Sequence, residues 1–383
     1  MKTVVVGLSG GVDSAVSAYL LKKQGYRVIG IFMRNWNDES VLINAECHWE
    51  EDSKDALLVA EKLDIPFQTI DLSVAYKKRI VDYMFSEYKE GRTPNPDVLC
   101  NREVKFDLFL EIALDLGADF VGTGHYCQKK EVEQNEKKMF KLLKGRDNNK
   151  DQSYFLCQLN QFQLSKALFP IGELKKSAVR EIAKKAGLPV WQKKDSQGLC
   201  FIGKVKLPTF LQQQLKLKKG DIVEIPSTFT WISQSKESNR WDFIAENGKK
   251  VGEHNGAHFY TIGQRKGLAV GGTGEPLFVL ETNTKDNIVY VGRGISHPFL
   301  FKEKLWINKK DMHWLGGLEA KEVEQKKPLQ AKIRYRQVDQ ICHLEKIFEG
   351  YWVHFQEKQR AVAPGQFCVF YQGKELLGSG VIQ

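Results

Sequence analysis

The chain has 383 residues, 42% hydrophobic and 27% charged, and its 57 Lys and Arg against 47 Asp and Glu give a formal net charge of +10. A chain of this length can build two or three domains, each with its own core. No apolar run nears the roughly 18 residues of a membrane helix, so no membrane partner is expected, and the cationic excess favours a polyanion instead.

The first residues form an apolar strand, Thr3 to Leu8, that runs into Ser9-Gly10-Gly11-Val12-Asp13-Ser14 and then into a helix over Asp13 to Gln24. Adjacent glycines between a buried strand and a helix let the backbone turn sharply and aim its N–H groups at one point, where the positive end of the helix dipole also falls. An anion belongs there. The loop lacks the Gly-Lys-Ser/Thr ending of the kinase-type phosphate loop and the spacing of a dinucleotide fingerprint. Because the amino terminus enters a strand at once, no targeting peptide is expected and the protein is placed in the cytoplasm.

Further along, strands are predicted at Arg27 to Met33, Phe67 to Asp71 and Asp119 to Gly122, alternating with helices at Ser53 to Leu63, Val74 to Glu90 and Val104 to Leu116. That alternation predicts an α/β fold with a doubly wound, mostly parallel sheet, whose ligands bind at the carboxyl ends of the strands. The glycine loop and the Gly122-Thr-Gly-His125 turn should therefore face each other. A polar hairpin follows over Gln128 to Asp147, then a helix over Lys175 to Ala186 that stops at Gly187 and Pro189, and a short helix over Leu207 to Leu215. Beyond it lies Gly-rich, strand-like sequence with a polar insertion over Ser233 to Gly248, read as a surface loop. Short strands from Glu281 to Gln383 predict a small antiparallel barrel. The expected domains are 1–205 with the glycine loop, a central α+β or β-rich domain over 206–280, and the barrel over 281–383.

Seven cysteines without a Cys-x-x-Cys pair do not predict a disulfide scaffold or a zinc site. Arg92-Thr-Pro-Asn-Pro-Asp-Val-Leu-Cys100-Asn-Arg102 reads as a rigid, proline-studded loop between helices that presents Asp97 and Cys100. A second thiol stands in Lys194-Asp-Ser-Gln-Gly-Leu-Cys200, a Gly-bearing turn where the first domain ends. Cys127, Cys157, Cys342 and Cys368 fall in apolar or mixed surroundings that predict inert, buried thiols, and Cys47, beside His48 in a polar stretch, is read the same way.

The Ser9 to Ser14 loop is similar to that of the ATP pyrophosphatases, the PP-loop superfamily, which cleave ATP between its α and β phosphates to adenylate a substrate. Together with the Cys100 and Cys200 segments, Gly-Thr-Gly-His-Tyr126, Lys150-Asp-Gln-Ser-Tyr-Phe-Leu156, Gly263-Gln-Arg-Lys-Gly-Leu268 and Ala363-Pro-Gly-Gln366, it makes the chain resemble the tRNA-specific 2-thiouridylases over nearly its whole length. The insertion at Ser233 to Gly248 is not part of that pattern. The resemblance implies an adenine nucleotide alpha-hydrolase-like sheet and ATP-dependent exchange of the 2-carbonyl oxygen of the wobble uridine, position 34 of tRNA, for sulfur.

The resemblance further implies ATP contacts from Gly7, Leu8, Ser9, Gly10, Gly11, Val12, Asp13, Ser14, Met33 and Gly124, with Mg²⁺ accompanying the phosphates. It assigns Cys200 a persulfide and Cys100 the role of nucleophile, the two ending as a transient disulfide that cytosolic reductants reopen. Released hydrosulfide or the persulfide itself could attack the base, and the sequence does not choose. Asp97 is the acid/base candidate, with capping of the following turn as its alternative. Implied tRNA contacts are Asn95, Pro96 and Asp97 at the target base, then His125, Lys150, Asp151, Gln152, Arg334, Tyr335 and Gln366. Arg334 and Arg336, two apart, are read as sharing one face of a strand, and Tyr335 as a base-stacking ring. The expected partners are tRNAs for Lys, Glu and Gln and a cysteine desulfurase or sulfur-relay protein, and the expected state is a monomer. The rivals are other adenylating PP-loop enzymes, of 4-thiouridine, lysidine or ammonia-dependent synthetase type, and a noncatalytic RNA-binding protein.

Overall fold

The computed structural model describes residues 1–36, 48–134, 136–195, 207–230, 240–272, 274–317, 323 and 328–383. Chain order begins with β1 (Thr3–Gly7), α1 (Val12–Lys23), β2 (Arg27–Arg34), α2 (His48–Leu63) and β3 (Phe67–Asp71). Val4, Val5 and Val6 of β1 are all fully buried, which is the continuous apolar run of a central parallel strand covered on both faces. Gly25, at φ 86°, lets the chain leave α1 in the left-handed conformation.

The helix predicted over Val74 to Glu90 is α3 (Ser73–Tyr76), a π-type turn over Lys77–Val81 and α4 (Asp82–Lys89). The next segment corrects the sequence reading. The proline-studded stretch is already helical as α5 (Pro96–Cys100), continuing through a π-type turn (Asn101–Leu108) into α6 (Phe109–Asp115). Pro96 occupies the first helical turn, where its missing N–H costs nothing, and the Asn95 side chain accepts from the Val98 amide at 3.3 Å.

Then come β4 (Phe120–Gly122), β5 (Cys127–Gln134), β6 (Lys137–Lys144), α7 (Gln161–Lys166), β7 (Ala167–Leu168), α8 (Lys176–Lys185) and α9 (Leu207–Leu211). The first sheet has the order β3-β2-β1-β4-β7 and is parallel throughout. Strand order reverses at β1, so the loops after β1 and β4 flank the crevice where an open α/β sheet holds its ligand.

The central sheet joins β8 (Gly220–Glu224), β9 (Lys249–His254), β10 (Leu277–Asn283) and β11 (Ile288–Arg293) in the order β10-β11-β8-β9. The division expected at residue 280 thus falls inside β10, because the β10–β11 hairpin completes this sheet through β8 rather than opening the barrel. Most of the insertion at Ser233 to Gly248 lies outside the described residues; from Arg240 on it packs on the central sheet, with Phe243 buried against Tyr290 and Phe299.

Six antiparallel strands close the barrel: β12 (Phe301–Trp314), β13 (Leu329–Lys332), β14 (Gln340–Lys346), β15 (Gly350–Arg360), β16 (Phe367–Gln372) and β17 (Glu375–Ile382), with β12 pairing both β15 and β17. The predicted hairpin β5–β6 adds to this sheet through Leu142 and Leu143 of β6 against β17. The barrel is therefore bonded directly to the first domain. A second correction concerns Lys332 to Arg336. The strand stops at Lys332, and Arg334 to Gln337 form a turn closed by the Gln337 amide on the Arg334 carbonyl at 3.2 Å, with the Gln337 side chain accepting from the Ile333 amide. Among the described residues no helix is long and apolar enough to cross a membrane.

Candidate functional site

The glycine loop folds on itself before α1. The Ser9 amide donates to Ser14 Oγ at 3.1 Å and Ser14 Oγ donates to the Gly11 carbonyl at 3.1 Å. Gly10 has φ 69°, and a Cβ there would sit on the carbonyl oxygen of Asp52 in α2. A Cβ on Gly124 would lie 2.9 Å from the backbone of Asp13 and Ser14, so the turn after β4 is pressed against the start of α1. Met33, at the end of β2, lies with its methyl 3.2 Å from the place of a Cβ on Gly7. Met33 thus stands beside Gly7 and Gly124 beside Asp13 and Ser14 at the ends of β1, β2 and β4, and Leu8 and Val12 of the loop are buried. Asn35, two residues beyond Met33, carries no signal in the sequence pattern. It is 2% exposed, and its carboxamide oxygen is buried without a hydrogen-bond partner among the described residues, an acceptor suited to an amino group such as that of adenine.

Asp13 carries the loop's charge. Its Oδ1 accepts from the Tyr126 hydroxyl at 2.7 Å, and both carboxylate oxygens accept from Lys176 Nζ, at 2.7 and 2.8 Å. Burial, and after it the Asp13 charge, push the Tyr126 phenol far above its ordinary range. Lys176 also pairs with Asp195 at 2.8 Å, as do Lys150 at 2.6 Å and Arg180 at 2.8 Å. Burial alone would raise the Asp195 carboxyl, but hydrogen bonds from Lys150 and Lys176 and their charges overcome it and hold the group at about 2. Asp195 is therefore an anion at neutral pH. What its network adds to stability is fully present above the ordinary carboxylate range and is lost as the pH falls toward 2.

The segment before Cys100 is held by all three folded units. The Thr93 amide donates to the Pro364 carbonyl at 2.7 Å, and Thr93 Oγ1 lies 3.1 Å from Thr261 Oγ1 of the central domain. Gln366 Nε2 donates to the Thr93 and Pro94 carbonyls at 2.8 and 3.1 Å, and Asn95 Nδ2 donates to Gln366 Oε1 at 3.3 Å. Asn95 and Gln366, 271 residues apart, are thereby brought together. Gln366→Ala is expected to release this segment, since three hydrogen bonds go at once. Turnover should fall about tenfold, with a loss of about 1–3 kcal/mol in stability, read from single-turnover rates and urea unfolding.

Pro96 is buried and Asp97 half-buried, and the Asp97 carbonyl accepts from Asn101 Nδ2 at 2.9 Å. Cys100 ends α5 with no exposed surface, where the helix widens into the π-type turn, a distortion common at functional sites. Nine residues on, the Phe109 ring lies 3.6 Å from the place of a Cβ on Gly7, so the helical stretch that runs on from Cys100 reaches the end of β1. Cys200 and Cys47 lie outside the described residues. Cys127, Cys157, Cys342 and Cys368 are buried, and burial pushes each thiol up, Cys157 and Cys342 to about 12.

The remaining residues singled out by sequence occupy less open positions. His125 is 7% exposed, bonded through Nδ1 to Thr123 Oγ1 at 2.8 Å and boxed by Phe106 and Phe169, and burial keeps it neutral. The buried Asp151 carboxylate accepts from the Gly145 and Ser153 amides, both at 3.1 Å. Gln152 exchanges two hydrogen bonds with the Tyr126 backbone. Lys150 faces Asp195, as described. On the barrel, Arg334 donates to the Arg360 carbonyl at 2.6 Å, and Tyr335 packs on Phe155 with ring centroids 4.4 Å apart. The Ser153-Tyr-Phe155 run is a wedge between domains: Tyr154 donates to the Phe367 carbonyl at 2.9 Å, and Ser153 meets the Tyr371 hydroxyl at 3.2 Å.

Comparison with known proteins follows this division. A tRNA methyl transferase HUP domain model matches residues 2–204, a tRNA methyl transferase PRC-barrel domain model matches 208–293, and an Aminomethyltransferase beta-barrel domain model matches 304–382. The chain is 57% identical over 394 aligned positions to the tRNA-specific 2-thiouridylase MnmA of Christiangramia forsetii, covering 100% of both chains. It is 58% identical over 395 positions to that of Flavobacterium johnsoniae, again over 100% of both, and 48% identical to that of Karelsulcia muelleri over 100% of this chain and 98% of the relative.

Proposed function

The chain belongs to the tRNA-specific 2-thiouridylase family, and on that premise we propose that it is a tRNA sulfurtransferase that replaces the 2-carbonyl oxygen of the wobble uridine with sulfur at the expense of ATP. The observation that carries this reading is the 57% and 58% identity to two 2-thiouridylases over the whole chain, and the hold of the barrel on the Asn95 segment through Gln366 supports it.

A uridine carbonyl oxygen is a poor leaving group, so the first step must activate it. The loop amides and the positive end of α1 hold the polyphosphate. The uridine oxygen attacks the α-phosphorus, pyrophosphate leaves into the Ser9–Ser14 cradle, and the base carries AMP on O2. Mg²⁺ accompanying ATP would neutralise charge on the phosphates. Asn95, Pro96 and Asp97 border the target base, and Asp97 moves the proton at the thiol or the base. A Cys200 persulfide supplies the sulfur. In one route the Cys100 thiolate attacks the sulfur bonded to Cys200, the Cys200–Cys100 disulfide forms, and the hydrosulfide set free attacks C2 and displaces AMP together with O2. In the other the terminal persulfide sulfur attacks C2, AMP leaves, and Cys100 attacks the sulfur still bonded to Cys200, freeing the thiolated base and forming the same disulfide.

His125, Asp151 and Gln152 shape the floor of the RNA surface, and Arg334, Tyr335 and Lys150 lie along its border. The sulfur donor is a desulfurase or a relay protein, the tRNAs those for Lys, Glu and Gln, the working unit a monomer, and the compartment the cytoplasm. Nucleoside mass spectrometry of cells lacking the protein tests the activity. The 2-thiouridine signal is expected to vanish and to return with the intact gene, and its persistence in the deletion would refute the reading.

A further inference from the structure

Arg240 is the first described residue of the insertion that stands outside the family pattern, and its side chain reaches across to the first domain. Its Nη2 donates to the carbonyls of Glu90 and Gly91 at 3.1 and 3.0 Å, while Nη1 donates to the Thr282 carbonyl of β10 at 3.1 Å. Glu90 and Gly91 stand where α4 ends, so the guanidinium meets helix-terminal carbonyls and lies at the negative end of the dipole. Glu281 fixes the cation from behind. This carboxylate is 3% exposed, lies 3.9 Å from Arg240 Nη1, and accepts from the Trp241 and Thr282 amides at 2.9 and 3.1 Å. The approach at Gly91 is close, since a Cβ there would stand 2.9 Å from Thr284 Cγ2. Two residues on, Thr93 meets Thr261 and Pro364, and then Asn95 meets Gln366. The run from Glu90 to Asn95 is thus gripped at its start by the central domain and at its end by the barrel, and α5, which ends in Cys100, begins at the next residue.

We propose that Arg240 is a positioning residue for the Asn95–Cys100 segment: it fixes the point at which that segment leaves α4, and so sets where Asp97 and Cys100 stand against the target base. This rests on the reading above and gives the insertion a part in it. Two nitrogens of one planar group bind three carbonyls on two domains, which a guanidinium does and a single ammonium does not. Without Arg240 the anchor at the start of the segment goes while the one at Gln366 stays, so the segment pivots rather than detaches. A displacement of about 1 Å in a reacting group costs a large factor in rate. ATP is held at the glycine loop, away from this contact, so its binding is unaffected.

The test compares full-length Arg240→Met and Arg240→Lys with Arg293→Met, which removes another guanidinium of the central domain, paired with Glu224 at 2.7 Å. Arg240→Met is expected to lower the single-turnover thiolation rate about tenfold at saturating tRNA and ATP, with the ATP concentration for half-maximal rate unchanged. Arg240→Lys should recover part of the rate, and Arg293→Met should keep all of it, whatever either loses in resistance to urea. Amide hydrogen exchange over residues 93–100 should quicken severalfold in Arg240→Met and hold in Arg293→Met. Should Arg240→Met fail to fold, Arg240→Lys carries the same test with smaller changes. A wild-type rate or unchanged exchange in the Arg240 variants, or an equal slowing in Arg293→Met, would overturn the proposal while the assigned activity stands. A wild type that thiolates no tRNA would instead bring down the activity, and the exchange measurement would still decide whether Arg240 holds the segment.

Discussion

Cys200→Ser is expected to abolish sulfur transfer, by roughly a thousandfold or more as for loss of a covalent nucleophile, while ATP and tRNA binding stay near wild-type levels. A serine cannot carry a persulfide, so nothing upstream of sulfur delivery should change: the protein should still release pyrophosphate when given tRNA and ATP. Cys100→Ser should lose thiolation to the same extent but differ in what accumulates. With no thiol to attack the inner sulfur, the Cys200 persulfide should persist after incubation with a sulfur donor and be visible as a mass increment on that residue. The Cys100 variant needs a stability control that the Cys200 variant does not. Cys100 has no exposed surface and packs in the large core between the first domain and the barrel, where burying a hydroxyl in place of the thiol costs about 1–3 kcal/mol. Cys100→Ala separates the two effects, since it removes the thiol without burying a hydroxyl. Thiolation by Cys200→Ser supplied with a persulfide donor would show the assigned sulfur carrier to be wrong.

Much of the crevice could be read from the chain because its signals are local. The Thr3 to Leu8 run, the two glycines and the helix after them stand within two dozen residues, and the alternation of strand and helix carries the parallel sheet. The clamp on Asn95 was only half legible. Asn95 and Gln366 were each marked by motif, but nothing local says that they meet. The same holds for β5–β6: its hairpin pattern is plain, whereas its pairing with β17, more than 230 residues away, leaves no trace in periodicity. The run Lys332 to Arg336 misled because alternation is the only strand signal it offers, while the Gln337 side chain, which captures the Ile333 amide and turns the chain, leaves no comparable mark. Asp151 and Gln152, which the resemblance marks as tRNA contacts, accept hydrogen bonds from the backbone amides of Tyr126, Gly145 and Ser153, contacts that nothing local in the sequence announces. Lys176 and Arg180 carry a physical signal in the sequence itself: two cations one turn apart at the wrong end of a helix must find anions elsewhere.

Gly10→Ala is expected to cost far more than a methyl group. At φ 69° an alanine pays the left-handed penalty, about 1 kcal/mol, and its Cβ would also fall on the Asp52 carbonyl oxygen. That oxygen belongs to α2, whose Asp52 and Asp55 side chains hold Lys193, so the helix cannot withdraw without undoing those pairs. The loop must open instead, and its amides then no longer converge on one anion. Affinity for a nonhydrolysable ATP analogue should fall a hundredfold or more, roughly 3 kcal/mol, with tRNA binding little changed. Gly25→Ala supplies the control. Gly25 has φ 86° but nothing within 4 Å of an added Cβ, so it pays the backbone penalty alone, and its thermal midpoint should drop by a few degrees while ATP affinity holds. Equal nucleotide affinity in both variants would mean that the contact between Gly10 and α2 does not shape the cradle.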